Sequence, residues 1–189
     1  VTRKLLIENE EKLKELFDVK LNSKDELYTS DKIIELSKDC DGILSAITDQ
    51  FNKDLIEKLS TTVKIIANFA VGFGNIDVNT AAKKNIVVTN TPEVLDDSTA
   101  DISILLLLGA SRKVLEARRA AELQNWKWSA DFMLGKQMSN KRLGILGMGR
   151  IGRAVAKRAR GFNMEIHYHN RSQLSKDLEE GAIYHKTVK

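Results

Sequence analysis

The sequence predicts an α/β protein of two doubly wound, parallel-sheet lobes, with the second lobe truncated. Three features carry that expectation. Short apolar runs alternate with amphipathic helical stretches through residues 1–90, one long helical pattern follows from residue 96, and a strand–glycine turn–helix–strand unit fills residues 142–172. Alternation on this rhythm places parallel strands in a sheet covered by helices on both faces.

Residues 1–4 read as the tail of a strand. Residues 8–17 predict a helix with Leu13, Leu16 and Phe17 apolar at three- and four-residue spacing, and residues 19–21 a short strand. A helix over 31–38, capped by Ser30, would bury Ile33, Ile34 and Leu36. The Asp41-Gly42 turn leads into a strand at 43–47, and Asn52 caps a helix carrying Leu55, Ile56 and Leu59. A strand at 63–67, a Gly72-Phe73-Gly74 loop, a helix over 76–84 and a strand at 86–88 follow. The single proline, Pro92, enforces an extended approach and stops that strand.

Residues 96–123 predict one helix, interrupted softly at Gly109 and long enough to connect two lobes. Residues 124–141 are loop-rich and hold Trp126, Trp128, Phe132 and Met133, an aromatic cluster of the kind buried at a domain or subunit interface. Only two strands of the last unit, and a third starting near Ala182, fit before Lys189. A dinucleotide-binding sheet has about six. The chain is therefore expected to be a fragment cut at both ends.

Composition narrows the function classes. Thirty basic residues against 26 acidic ones leave a net charge of +4, and the two signs are interspersed, so nothing demands a nucleic-acid partner. The densest basic patch, Arg150, Arg153, Lys157 and Arg160, reads as the solvated outer face of a helix. Cys40 is the only cysteine, which excludes a disulfide framework and a thiolate metal cluster and fits a reducing cytoplasm. His167 and His169 face one side of a strand but lack a third metal ligand close by, so no metal is expected. The residues present carry no signal-peptide pattern. The apolar run 102–110 falls well short of the roughly 20 residues that span a bilayer, so no membrane partner is expected either.

Chemistry concentrates in the last unit. Gly147, Gly149 and Gly152 hold the G-x-G-x-x-G spacing after the apolar run 143–146. Gly147 permits the tight turn, Gly149 lets the backbone approach a diphosphate, and Gly152 lets helix and strand pack closely. Ile151, Ala154, Val155, Ala159 and Phe162 line one helical face, and 164–168 alternates as a second strand. Amides around Met148, Arg150 and Ile151 would then meet the diphosphate, with the positive end of the helix dipole behind them. At the end of the second strand, Asn170 replaces the acidic residue that holds an NAD ribose hydroxyl. A carboxylate there would repel a 2′-phosphate by about 4 kcal/mol at ~4 Å for an effective dielectric near 20. Asn170 removes that repulsion, and Arg171, followed by Ser172, supplies a cation suited to phosphate oxygens. NADP is thus the expected cofactor, with NAD second.

Five blocks then carry a family resemblance over nearly the whole chain: KIIANFAVGFGNIDV (64–78), IVVTNTPEVLDDSTAD (86–101), the helix end at Ser111-Arg112, KRLGILGMGRIG (141–152) and YHNRS (168–172). With these, the chain resembles the D-isomer-specific 2-hydroxyacid dehydrogenases, and within them the NADP-preferring glyoxylate and hydroxypyruvate reductase branch. The resemblance implies a flavodoxin-like substrate-binding lobe over residues 1–94, missing its first strand and C-terminal return. It also implies the first half of a Rossmann NAD(P)-binding lobe over 95–189, including the connecting helix, with the active site in the cleft between lobes. Hydride would pass between NAD(P)H and a small 2-oxo acid. Val71 and Gly72 resemble the turn whose main-chain amides hold the substrate carboxylate, a sensible use of successive amides. Thr99 resembles a cofactor contact, and a homodimer through the cofactor lobe is implied.

Two departures stand out. Many members have Asp where this chain has Gly74. The family's catalytic arginine, glutamate and histidine lie downstream of the cofactor fingerprint, and no residue here matches them. No catalytic residue is therefore assigned, and the chain alone is expected to be inactive. An NAD-dependent phosphoglycerate dehydrogenase-like enzyme remains an alternative, though Asn170 and Arg171 weigh against it. A non-catalytic dinucleotide sensor is another, because fold alone does not decide function.

Overall fold

The computed structural model describes residues 1–124 and 126–188. The chain divides into two compact units, Val1–Val94 and Leu95–Lys189.

In the first unit, α1 (Ile7–Leu16), α2 (Ser30–Leu36), β1 (Gly42–Ala46), α3 (Lys53–Lys58), β2 (Ile65–Phe69), α4 (Val78–Lys83) and β3 (Val87–Thr89) follow in order. The strands form a parallel sheet, β1-β2-β3, in which Ile43 pairs with Ile66 and Ile66 with Val88. Ile43 and Ile66 turn to one face and join Phe51, Leu55, Ile56, Val63 and Ala81 in the core. The other face carries Ile65, Phe69 and Val87, all exposed, so among the described residues helices cover this sheet on one side only.

Four local expectations are corrected here. The segment 19–21 is not a strand; Lys20 O instead accepts from the Val1 amino group at 2.9 Å. Residues 1–4 are not a strand either, although Thr2 N–H donates to Leu44 O alongside β1. The cap of α2 is Thr29, whose hydroxyl accepts from Lys32 N–H, one residue before the expected Ser30. β2 starts two residues late, after a turn in which Val63 N–H donates to Ser60 O at 3.2 Å. The Asn52 cap is as expected, with Oδ1 accepting from Leu55 N–H at 3.0 Å. Helix α1 buries none of its residues, so its apolar spacing marks a face the described residues leave open.

The second unit contains α5 (Asp96–Ser111), α6 (Val114–Glu122), β4 (Arg142–Leu146), α7 (Arg150–Arg160), β5 (Glu165–His169), α8 (Lys176–Glu179) and β6 (Ile183–Tyr184). Its sheet is parallel in the order β4-β5-β6, and the third strand, expected near Ala182, starts at Ile183. Ala156, Ala159, Met164, Ile166 and Tyr168 form the core, with Ile104, Leu107 and Leu108 of α5 packed against it. Arg158 of α7 reaches Asp97 at 3.1 Å and Asp101 at 2.6 Å on α5.

The single helix expected over 96–123 is two helices. Gly109 stays inside α5, and the break comes at Arg112 and Lys113, which adopts left-handed backbone at φ 55. The returning loop fixes the break: Lys136 N–H donates to Ser111 O at 2.7 Å, and a Cβ on Gly135 would lie 2.6 Å from that same oxygen. Trp126 and Trp128 are exposed within the chain, at 59% and 83%. Among the described residues no helix is long and apolar enough to cross a membrane.

Candidate functional site

Two turns, one in each unit, present backbone amides. In the first unit the chain leaves β2 and turns through residues 70–74. Three successive carbonyls of this turn are held from behind. Thr91 N–H donates to Ala70 O at 2.9 Å, Asn90 Nδ2 to Val71 O at 2.7 Å, and Asn68 Nδ2 to Gly72 O at 3.0 Å. Asn68 is itself buried, bonded to Asn75 Oδ1 at 3.1 Å and accepting from Ser45 Oγ at 3.1 Å, while Asn75 Nδ2 donates to Asp49 O at 2.9 Å. The N–H groups of Val71, Gly72 and Phe73 have no acceptor among the described residues. A Cβ at Gly72 or Gly74 would meet nothing within 4 Å, so having Gly at 74 relieves no local clash.

In the second unit the three motif glycines separate by cause. Gly147 lies at φ +94, a left-handed position that other residues resist. Gly152 has no room: a Cβ there would lie 2.4 Å from Gly147 O and 3.3 Å from Ile145 Cγ2. Gly149 has neither constraint. Its backbone is extended, at φ −78 and ψ −157, and a Cβ would meet nothing within 4 Å. As N-cap of α7 it supplies no side-chain cap to the opening turn of that helix.

The turn is less open than expected just after Leu146. Gly147 N–H donates to His169 O at 3.0 Å, and Met148 N–H donates to Asn170 Oδ1 at 2.7 Å. Register explains this: Leu146 pairs with His169, which brings Asn170 beside the turn. Asn170 thus holds the glycine turn with its side-chain oxygen, a role the sequence did not announce. The Met148 side chain is buried. The Arg150 guanidinium stands 3.4 Å from Asp96.

Arg171 and Ser172 are exposed immediately beyond. Their loop is fastened at both ends. Tyr184 hydroxyl donates to Asn170 O at 3.3 Å, and Leu174 N–H donates to Tyr168 hydroxyl at 3.0 Å. Tyr168 in turn donates to Glu179 Oε1 at 2.7 Å, and Gln173 Nε2 donates to the same oxygen at 2.8 Å. Burial, reinforced by the Glu179 bond, pushes the Tyr168 hydroxyl above its ordinary range and keeps it a donor. The Tyr168 and Gln173 bonds hold Glu179 below the usual carboxylate range.

Thr99 sits in the first turn of α5, its N–H on Leu95 O at 3.0 Å as in any helix and its carbonyl accepting from the Ser103 hydroxyl one turn on at 2.8 Å. His167 and His169 share one side of β5; His167 bonds His185 at 2.7 Å and also Glu165, while His169 reaches His185 O at 2.8 Å. Among the described residues no three ligand side chains converge in a way that suits a metal ion.

Gly147, Met148, Gly149, Arg150, Ile151, Gly152 and Asn170 therefore gather at one end of β4 and β5, with Arg171 and Ser172 just outside. Val71 and Gly72 belong to the first unit. Asn68, Asn90, Tyr168 and Tyr184 carry structural roles at these turns that no sequence motif assigns. Asn68 carried the clearest signal, as a polar residue alternating with Ile66 on a core-facing strand position, where burial demands partners.

The model of the D-isomer specific 2-hydroxyacid dehydrogenase catalytic domain matches residues 2–180. A glyoxylate reductase of Korarchaeum cryptofilum is 44% identical over 184 residues, covering 94% of this chain and 55% of that protein. A D-isomer specific 2-hydroxyacid dehydrogenase, described as NAD-binding, from Polaromonas superposes with a TM-score of 0.86 at 41% identity, over 98% of this chain and 59% of that one. An NADPH-dependent glyoxylate/hydroxypyruvate reductase from Sinorhizobium meliloti gives a TM-score of 0.81 at 30% identity, over 98% and 56%. The chain spans about half the length of the curated relatives it matches.

Proposed function

The chain belongs to the D-isomer specific 2-hydroxyacid dehydrogenase family, and on that premise we propose that it serves an NADP(H)-dependent reduction of a small 2-oxo acid, glyoxylate or hydroxypyruvate, to the 2-hydroxy acid. Residues 1–94 act as the substrate-binding lobe, with the amides of Val71 and Gly72 receiving the carboxylate. Residues 95–189 act as the first half of the Rossmann cofactor lobe. The reduced nicotinamide, when bound, supplies the hydride. Among the residues present none is assigned a catalytic role, so the 189 residues alone bind ligands without turnover.

The carrying observation is Gly149: a glycine that neither packing nor backbone angle requires, at the start of a helix whose N-cap offers no side chain. Open space at that amide-bearing corner fits the approach of a diphosphate. The opening amides of α7, at Arg150 and Ile151, hold the diphosphate, and Gly152 sets the helix close behind. Asn170 Oδ1 already accepts from Met148 N–H, so its Nδ2 is the atom left to face the ribose. A donor there suits the oxygens of a 2′-phosphate, and Arg171 and Ser172 stand beside it with fixed loop ends. Thr99 provides a further contact from α5. The exposed Ile102, Leu105, Leu106 and Trp128 support a homodimer made by this lobe. A cytoplasmic location is part of this reading, supported by the single cysteine, Cys40.

The test compares NADPH and NADH affinity by fluorescence titration before and after Arg171→Ala. NADPH affinity is expected to fall by about tenfold to a hundredfold, the loss of a charge-assisted bond worth about 1.5–3 kcal/mol, with NADH little changed. An unchanged ratio refutes the NADP reading.

A further inference from the structure

We propose that Asn90 and Asn68 are positioning residues for anion binding at residues 71–73, and that Phe73 contributes a third amide to that cradle. The proposal rests on the carboxylate reading of Val71 and Gly72 and adds what holds those amides in place.

Peptide geometry carries it. Among the described residues every peptide bond is trans, so each carbonyl points opposite the N–H that shares its plane. Fixing the carbonyl of one residue therefore aims the amide of the next. Thr91 N–H on Ala70 O aims the amide of Val71, Asn90 on Val71 O aims that of Gly72, and Asn68 on Gly72 O aims that of Phe73. All three carbonyls are held by the protein, and all three matching N–H groups lack an acceptor among the described residues. A turn that needed its hydrogen bonds only for its own stability would not divide so cleanly into a satisfied side and an open side.

The turn also needs such pins. Two of its five residues are glycines whose Cβ positions are empty, so neither side-chain packing nor steric restriction fixes the peptide planes. Asn68 is anchored by Ser45 and Asn75 and is buried, so its amide has few alternatives. Asn90 lies just past β3, 19 residues from the carbonyl it holds, and is only partly buried. An acceptor-only ligand, a carboxylate, is what three outward N–H groups recognise.

Glyoxylate titrated into the ¹⁵N-labelled 189-residue chain tests this by amide chemical shifts. In the native chain the N–H signals of Val71, Gly72 and Phe73 should move saturably. Asn90→Ala should weaken that binding about tenfold, the effect of one lost orienting hydrogen bond. The unfolding midpoint and the β1–β3 signals should stay in place, which a merely structural role would not allow. Asn90→Ser, whose hydroxyl is too short to reach Val71 O, must show the same loss. If both variants bind glyoxylate as tightly as the native chain, the positioning role is overturned. If the native chain itself shows no movement at 71–73, the carboxylate reading falls, and this inference with it.

Discussion

Replacing Gly149 and Gly152 by alanine, one at a time, separates a folding motif from a binding motif. At Gly152 the new Cβ would stand 2.4 Å from Gly147 O and 3.2 Å from Gly147 C, both backbone atoms that no rotamer change can move. The helix start must shift by about 1 Å, and overpacking of this kind costs about 1–3 kcal/mol. The better helix propensity of alanine, about 1 kcal/mol over glycine, offsets part of this. A melting point lower by several degrees is expected, since about 1 kcal/mol moves the midpoint of a domain this size by about 4–8 °C. At Gly149 the same change meets nothing within 4 Å, on extended backbone any residue adopts. Stability there should hold or rise by about 0.4–1 kcal/mol, because alanine has fewer unfolded conformations to lose. Its methyl would nevertheless occupy the corner proposed for the diphosphate, and NADPH affinity should fall at least about tenfold, or about 1.4 kcal/mol. Urea unfolding and NADPH fluorescence titration on the two variants read the two effects. Tight NADPH binding by Gly149→Ala would refute the assignment of that corner, and a destabilised Gly149→Ala would refute the geometry behind it.

Two further outcomes follow from the hydrogen bonds around the sites. Tyr168→Phe strips the acceptor from Leu174 N–H and a donor from Glu179, at a cost of about 1–3 kcal/mol, and should speed hydrogen exchange at Leu174. Unchanged exchange there would mean the 170–174 loop is not fastened by the tyrosine. Asp77 caps α4 by accepting from Thr80 N–H at 3.0 Å, and that bond holds its carboxyl below the ordinary range. A depressed folded-state pKa gives stability that is full above the unfolded value, near pH ~4, and is lost as pH falls through the folded value. The urea midpoint of the native chain should therefore drop more steeply below about pH 4 than that of Asp77→Asn, which still caps but does not titrate. Parallel acid profiles would contradict this.

The α/β alternation was legible because strand and helix periods differ and because each apolar run is bounded by turn residues. Asn52 could be identified as a cap for a local reason: its acceptor and its donor lie three residues apart. The break at Lys113 could not be foreseen. It depends on Lys136 and Gly135 returning to Ser111 O, a contact between segments 24 and 25 residues apart that no local pattern encodes. The late start of β2 has a local cause, the turn that Val63 N–H closes on Ser60 O, which competes with the strand for the same residues. Exposure of Leu16 and Phe17 likewise shows that helical spacing identifies an apolar face without identifying what covers it.

For the sites, the glycines announced where backbone could approach a ligand, but not which amides were left to meet one. That depends on bonds made behind the turn. Asn170 takes the amide of Met148 and narrows the set proposed to face a phosphate to the helix opening, whereas Asn90 and Asn68 take carbonyls and leave the amides of Gly72 and Phe73 outward. An asparagine amide serves either use, since it carries both a donor and an acceptor. Which end it spends on the turn decides whether a nearby amide is consumed or exposed. Three asparagines thus do opposite things in the two turns, and only register and strand pairing tell them apart: Leu146 opposite His169 in one sheet, Ala67 opposite Thr89 in the other. Sequence marks the turns through their glycines, and the side chains that settle their chemistry lie on neighbouring strands.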